Sequence, residues 1–223
     1  MKKAKEKDSI WYIEDDRLDI DLFEVQFGDK FSIKSVCPSS EMEEQINQAL
    51  KSCDIIVTDY NFKGSGINYS AEDIEKYMAQ EAPDFPFLVL TNYYYKDTIA
   101  KFFRPEIVFP KPDEKKETVA RESKETTLID VLSQTMHTKI ENFRTSLEQK
   151  EKRLKELIKE FDKKKGELTQ DEFIEAKKLQ EGLQRLGVAT SVGPYLDNFK
   201  ELKTLVEIHA QIAELLESEQ DAS

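Results

Sequence analysis

Six side chains carry the chemistry this sequence offers. Glu14, Asp15 and Asp16 follow the short apolar run Ile10-Trp11-Tyr12-Ile13. Asp59 closes the run Asp54-Ile55-Ile56-Val57-Thr58-Asp59. Thr91 closes Leu88-Val89-Leu90-Thr91, and Lys111 stands just before Pro112. Carboxylates brought together repel one another, and a hard divalent cation relieves that repulsion. Mg²⁺ takes a few carboxylates and fills its remaining positions with waters and phosphate oxygens. A carboxylate beside such a metal can attack a phosphoryl group and hold it covalently. The charge on the transferring group must be matched, and the ammonium of Lys111 and the hydroxyl of Thr91 are suited to that.

The apolar runs are short and β-branched, as strands are, and helix-patterned stretches lie between them. Ser9 to Ile13 reads as the first strand. Leu18, Leu22, Val25 and the neighbouring Phe23 recur at helical spacing after it. Phe31 to Val36 alternates as a strand does. Ser40 to Glu43 has the spacing of a capping box, with Met42, Ile46 and Leu50 on one face of the helix that follows. Asp54 to Asp59 and Phe85 to Thr91 read as strands buried on both sides. Between them Ser70 to Asp73 is a second capping box, leading Ile74, Tyr77 and Met78. A short helix is expected over Tyr94 to Phe103, and a last strand over Ile107 to Pro110.

Five strands alternating with four helices predict an α/β fold with a parallel, doubly wound sheet and right-handed crossovers. In such sheets ligands bind beyond the carboxyl ends of the strands, where strand order reverses. Strands one and three are neighbours there in the common five-stranded order, so Glu14 or Asp15 would meet Asp59. Thr91 and Lys111 end strands four and five and reach the same edge.

These pieces, taken in order, resemble the receiver domain of response regulators. The resemblance covers about half the chain. It implies that Glu14 and Asp15 are the acidic metal pair and that Asp59 is the phosphoacceptor. It also implies that Asn61 lends its backbone carbonyl to the metal, and that Thr91 and Lys111 are the hydroxyl and lysine that follow the phosphoryl group. The implied cofactor is Mg²⁺, and the implied phosphodonor is a histidine kinase or a small phosphorylated molecule. Three positions depart from the family pattern. Lys63 replaces a usual proline, Asn92 follows Thr91 where a small residue is usual, and Val108 stands where an aromatic is common.

Past Pro112 the texture changes. The expected organisation is a receiver domain over residues 1–112, a charged linker over 113–126 and an all-α helical domain over 127–223. Met136, Ile140, Phe143, Leu147, Leu154, Leu157 and Phe161 step by threes and fours, with Lys150 filling the one long gap, which reads as a coiled-coil seam. Lys163 to Gly166 reads as a helix end. Thr169 to Glu172 opens a further helix carrying Ala176, Leu179, Leu183 and Leu186. Phe199 to Leu215 reads as a third, closing a bundle or pairing with a second copy of the chain.

Composition narrows the function classes. Of 223 residues, 45 are acidic and 33 basic, for a net charge of −12, which speaks against broad nucleic-acid binding. No apolar stretch is long enough for a signal peptide or a membrane span, so the cytoplasm is expected and no membrane partner. Cys37 and Cys53 lack a metal-binding spacing and read as buried free thiols. The expected function is therefore a phosphorylation-dependent switch of two-component type, not an enzyme, acting through protein contacts of the helical part, including a homodimer. One alternative is a phosphorylation-independent scaffold. Another is a phosphorelay intermediate using Asp59 and His137, although the residues around His137 read more simply as a helix surface, as do those around His209.

Overall fold

A computed structural model describes residues 7–62, 66–92, 105–113, 126–163 and 169–188. The helix expected over Tyr94–Phe103, Lys63, most of the charged stretch after Pro112 and the helix expected from Phe199 lie outside them. Five strands are present: β1 Ser9–Ile13, β2 Ser32–Val36, β3 Ile55–Asp59, β4 Phe87–Thr91 and β5 Val108–Pro110. The helices are α1 Arg17–Phe27, α2 Met42–Ser52, α3 Ala71–Glu81, α4 Leu128–Lys163 and α5 Gln170–Arg185. The sheet order is β2-β1-β3-β4-β5 and every pairing is parallel. This is the five-stranded doubly wound order, whose reversal point falls between β1 and β3.

Every residue of β3 and β4 is buried, as a strand covered on both faces requires. Successive side chains point to opposite faces, and the two cores follow that alternation. Trp11, Ile13, Ile56 and Val89 meet Ile46 and Leu50 of α2 and Ile74 and Met78 of α3. Ile10, Tyr12, Ile55, Val57, Leu88 and Leu90 meet α1 and the first part of α4.

Helix α1 buries a different stripe from the one its spacing suggested. Ile20, Phe23 and Phe27 face the sheet, while Leu18 and Val25 are 66% and 81% exposed. Two interleaved apolar patterns compete on this helix, and the aromatic one wins because Phe23 stacks on Tyr12 and Phe27 packs against Phe23. Asp16 caps α1 by accepting from the Leu18 amide at 2.8 Å. The box expected at Ser40 does not form: Glu41 is the N-cap of α2 and makes no side-chain cap bond. The box at Ser70 does form, with the Asp73 carboxylate accepting from the Ser70 amide at 2.9 Å. Both cysteines are free thiols; Cys37 is exposed. Cys53 is half-buried, its Sγ bonded to the Ala49 carbonyl, and burial pushes its thiol up to about 12.

The largest departure from expectation is α4. The chain divides into two compact units, and the first comprises residues 1–149 with Arg185–Gly187. Ile129, Leu132, Met136 and Ile140, at helical spacing, are each no more than 3% exposed against the sheet. Phe143 packs edge-on against Phe85. The expected seam is therefore not one continuous coiled-coil face: its first positions complete the sheet's covering layer. Thr127 caps the helix, accepting from the Asp130 amide and donating to its carboxylate. In the second unit, Leu154 and Leu157 of α4 and Phe173, Ala176 and Leu183 of α5 are buried. Arg153 makes two 2.8 Å bonds to the Glu175 carboxylate. Thr169 and Glu172 cap α5 reciprocally.

Polar contacts also hold α4 at the amino-terminal ends of the strands. Arg144 bonds Asp8 and Asp54, each at 2.8 Å, and His137 stacks on Phe31 and bonds Asp8 at 2.8 Å. Burial alone would raise the Asp54 carboxyl, but bonds from Ser9 and Arg144 outweigh it and hold the carboxyl below its usual range. Replacing Arg144 with Ala is expected to cost about 1–2 kcal/mol at pH 7, less than a fully buried pair because the guanidinium is partly exposed. A lowered carboxyl lends stability above its unfolded value and loses it in acid. The gap between wild type and variant should therefore close below about pH 4, as paired thermal melts across pH would measure.

Candidate functional site

The carboxyl ends of β1, β3, β4 and β5 enclose a cleft of about 170 Å³ lined by Glu14, Asp15, Asp59, Asn61, Thr91 and Lys111, among others. Asp16 lines it too, so every residue singled out from the sequence for this chemistry is brought together. The sheet does this through its register. Ile13 pairs with Thr58, which sets Glu14 and Asp15 beside Asp59. The Tyr60 amide bonds the Leu90 carbonyl and the Lys111 amide bonds the Thr91 carbonyl, which ties the strand ends to one another.

Glu14 is 1% exposed and its carboxylate is fully engaged. One oxygen accepts from the Asp15 and Asp16 amides at 3.0 and 3.1 Å. The other accepts from the Tyr12 hydroxyl at 3.0 Å and from Lys111 at 2.7 Å. Burial, followed by the neighbouring Glu14 charge, pushes the Tyr12 phenol far above its usual range, so it stays a donor. Asp59 bonds Lys111 at 2.8 Å through one oxygen and the Asn61 amide at 2.9 Å through the other. Thr91 is buried at the end of β4.

Lys111 also bonds Asp19, in the first turn of α1. An ammonium has three donors, and here they go to Glu14, Asp19 and Asp59. Burial opposes the charge on Lys111, yet the carboxylates overrule it and hold the ammonium above its usual range. Asp19 and Tyr12 were not recognised as site residues from the sequence. Asp19 stands three residues after the cap Asp16, where an acid ordinarily serves only the helix dipole. Tyr12 looks like a core aromatic.

One ligand oxygen from each of Glu14, Asp15 and Asp59 lies within 4.8 Å of the others. Asp15 Oδ2 is buried with no hydrogen-bond partner, which is the state of an atom that a cation would complete. Burial first, and then the Glu14 charge, push the Asp15 carboxyl up to about 6. Burial raises Asp59 as well; Lys111 offsets part of this and Glu14 adds to it. A hard divalent cation fits this donor set, with Asp15 and Asp59 as the carboxylates that still have lone pairs to give. It would supply positive charge for phosphate oxygens.

A carboxyl raised on folding stabilises the folded chain in acid, and that contribution is lost as pH rises through its folded value. Asp15 should therefore strain the metal-free site above pH 6. Mg²⁺ affinity measured by calorimetry is expected to weaken about tenfold from pH 7.5 to pH 5 as that carboxyl takes up a proton. Asp15→Asn should melt higher than wild type without metal at pH 7.5 and respond little to Mg²⁺.

No family model and no curated protein matches the sequence. Solved structures similar in fold include a response regulator receiver protein from Sinorhizobium medicae, 16% identical. That match covers 61% of this chain and 99% of the other, with a TM-score of 0.42. The non-phosphorylated HemR receiver domain from Leptospira biflexa is 23% identical over 53% of this chain and 93% of that one, with a TM-score of 0.39. The RcsB response regulator of Salmonella typhimurium is 13% identical over 87% of this chain and 98% of that one, also with a TM-score of 0.39. Likenesses at this level carry no argument, and the strand order and the cleft stand without them. A parallel β2-β1-β3-β4-β5 sheet with helices on both faces, and the acid cluster, threonine and lysine at its reversal point, give the first unit the fold of the response-regulator receiver domain.

Proposed function

We infer that the chain is a phosphorylation-dependent signalling switch of two-component type, with Asp59 as the acceptor. The observation that carries this reading is the convergence of Glu14, Asp15 and Asp59 oxygens within 4.8 Å of one another, with Lys111 2.8 Å from Asp59. An Asp59 oxygen attacks the phosphorus of a phosphohistidine or small acyl phosphate. The new O–P bond forms as the bond to the donor breaks, and the donor leaves with the electron pair. Lys111 and Thr91 then face the phosphoryl oxygens. Asp15 and Asp59, with the Asn61 carbonyl, would hold Mg²⁺, and Glu14 holds Lys111 in place.

The protein acts as a switch and not as a turnover enzyme: the product is the modified chain itself. The added charge, near −2, would draw Thr91 and Lys111 inward, and the helical part would carry the output through protein contacts, a second copy of the chain included. A net charge of −12 disfavours DNA as the target, and a cytoplasmic site of action fits this chemistry. The test is incubation with Mg²⁺ and a small acyl phosphate, followed by intact-mass measurement. One added phosphoryl group is expected, and none appearing under any donor would leave the scaffold reading in its place.

The relay reading gains nothing from the geometry. His137 bonds Asp8, just before β1, and Asp59 lies at the carboxyl ends of the strands. The strand between those edges is roughly 17 Å long, far beyond direct transfer within one chain.

A further inference from the structure

We propose that Asp19 is a positioning residue for Lys111, sharing its ammonium with Asp59 and so setting how tightly the cleft holds an anionic phosphoryl group. This rests on the phosphoacceptor reading of Asp59 and extends it to a residue on α1. The geometry is specific. The Asp19 carboxylate bonds Lys111 Nζ, whose other two donors go to Glu14 and Asp59. The Lys111 side chain is 12% exposed, so water has little room to replace a lost partner. Glu14 is committed to four donors and cannot let go without leaving Tyr12 and two backbone amides unpaired. Asp19 has no comparable obligation: its side chain is 27% exposed and sits on the first turn of a helix capped independently by Asp16. It is the partner that can change without dismantling the site.

When Asp59 is phosphorylated its carboxylate charge is replaced by that of the phosphoryl group, and Lys111 must turn a donor toward the phosphoryl oxygens. Asp19 competes for the same ammonium and adds a negative charge about 5 Å from the acceptor, as two carboxylates sharing one ammonium must be. Both effects oppose an incoming anion, and both favour a cation. Removing the charge should therefore move anion and metal binding in opposite directions. General damage to the cleft would weaken both, so the two signs separate positioning from mere structural support.

The experiment titrates full-length protein with beryllofluoride at saturating Mg²⁺, and separately with Mg²⁺ alone, by calorimetry. Wild type is compared with Asp19→Asn, Asp19→Ser and Asp19→Glu, each checked for a cooperative melt. Asn and Ser are expected to bind beryllofluoride about tenfold more tightly and Mg²⁺ several-fold more weakly, from the loss of one charge at this distance. Glu is expected to restore wild-type values. Two neutral variants guard against one failing to fold. Wild type binding beryllofluoride, with the neutral variants equal to it or weaker in both titrations, overturns the role of Asp19 alone. Wild type failing to bind beryllofluoride at all removes the phosphoacceptor reading and this role with it.

Discussion

Asp59→Asn is expected to take up no phosphoryl group under conditions where wild type is modified on one site. The amide is close in shape to the carboxylate and can still meet the Asn61 amide, but it is a poor nucleophile and a poor ligand for a divalent cation. The loss should be complete by intact mass, not a change of rate. The variant should nevertheless fold. Asp59 sits at the end of β3 with its backbone in the sheet, and neutralising it removes one of the carboxylates that crowd Lys111. It also relieves a group that burial already disfavours in its charged form. A thermal melt equal to or above wild type, alongside zero incorporation, is the expected pair of results. Incorporation that persists in Asp59→Asn with Mg²⁺ present would move the acceptor elsewhere.

The second large effect concerns the boundary of the receiver unit. A chain ending at residue 126 is expected not to fold, whereas one ending at residue 149 is expected to fold cooperatively. The reason lies in Ile129, Leu132, Met136 and Ile140, which cover the face of the sheet formed by Ile10, Tyr12, Ile55, Val57, Leu88 and Leu90. Burying each such side chain is worth about 1.5–3 kcal/mol, so the four together match the whole net stability of an ordinary domain, about 5–15 kcal/mol. The shorter chain would also lose Arg144, leaving Asp8 and Asp54 without their cation. Circular dichroism and urea titration of the two truncations would decide. A cooperative, native-like transition from the shorter chain would show that α4 only leans on a sheet already complete.

The site sits at one edge of the sheet and the polar clamp on α4 at the other. Helix α4 runs on past the first unit as one continuous helix of 36 residues. Its first part, Ile129 to Ile140, is packed on the sheet whose carboxyl ends form the cleft. The contact between Lys111 and Asp19 ties the cleft to α1 as well.

Much of this was legible in the sequence because it is written locally. The strands announce themselves as short β-branched runs, and their carboxyl ends carry the acids, threonine and lysine. A parallel sheet has few ways to order such strands, so Glu14, Asp15, Asp59, Thr91 and Lys111 had to meet if the doubly wound fold formed at all. The capping pairs at Ser70 and Thr169 were equally local, needing only residues three apart. What remained hidden depends on which surfaces finally touch. The two apolar stripes of α1 cannot be ranked until Tyr12 offers its ring to Phe23. An apolar period along α4 marks a face for burial but does not name what buries it; the uncovered sheet face decided that, turning half an apparent coiled-coil seam into domain core. Asp19 is a helix-start acid in the sequence and a Lys111 partner only in the folded cleft, because a contact 92 residues apart in the chain leaves no local trace. Periodicity and residue type determined the elements and the chemistry they hold; the choice of partners for each face and each charge belonged to the tertiary structure, where desolvation and packing are settled between groups far apart in sequence.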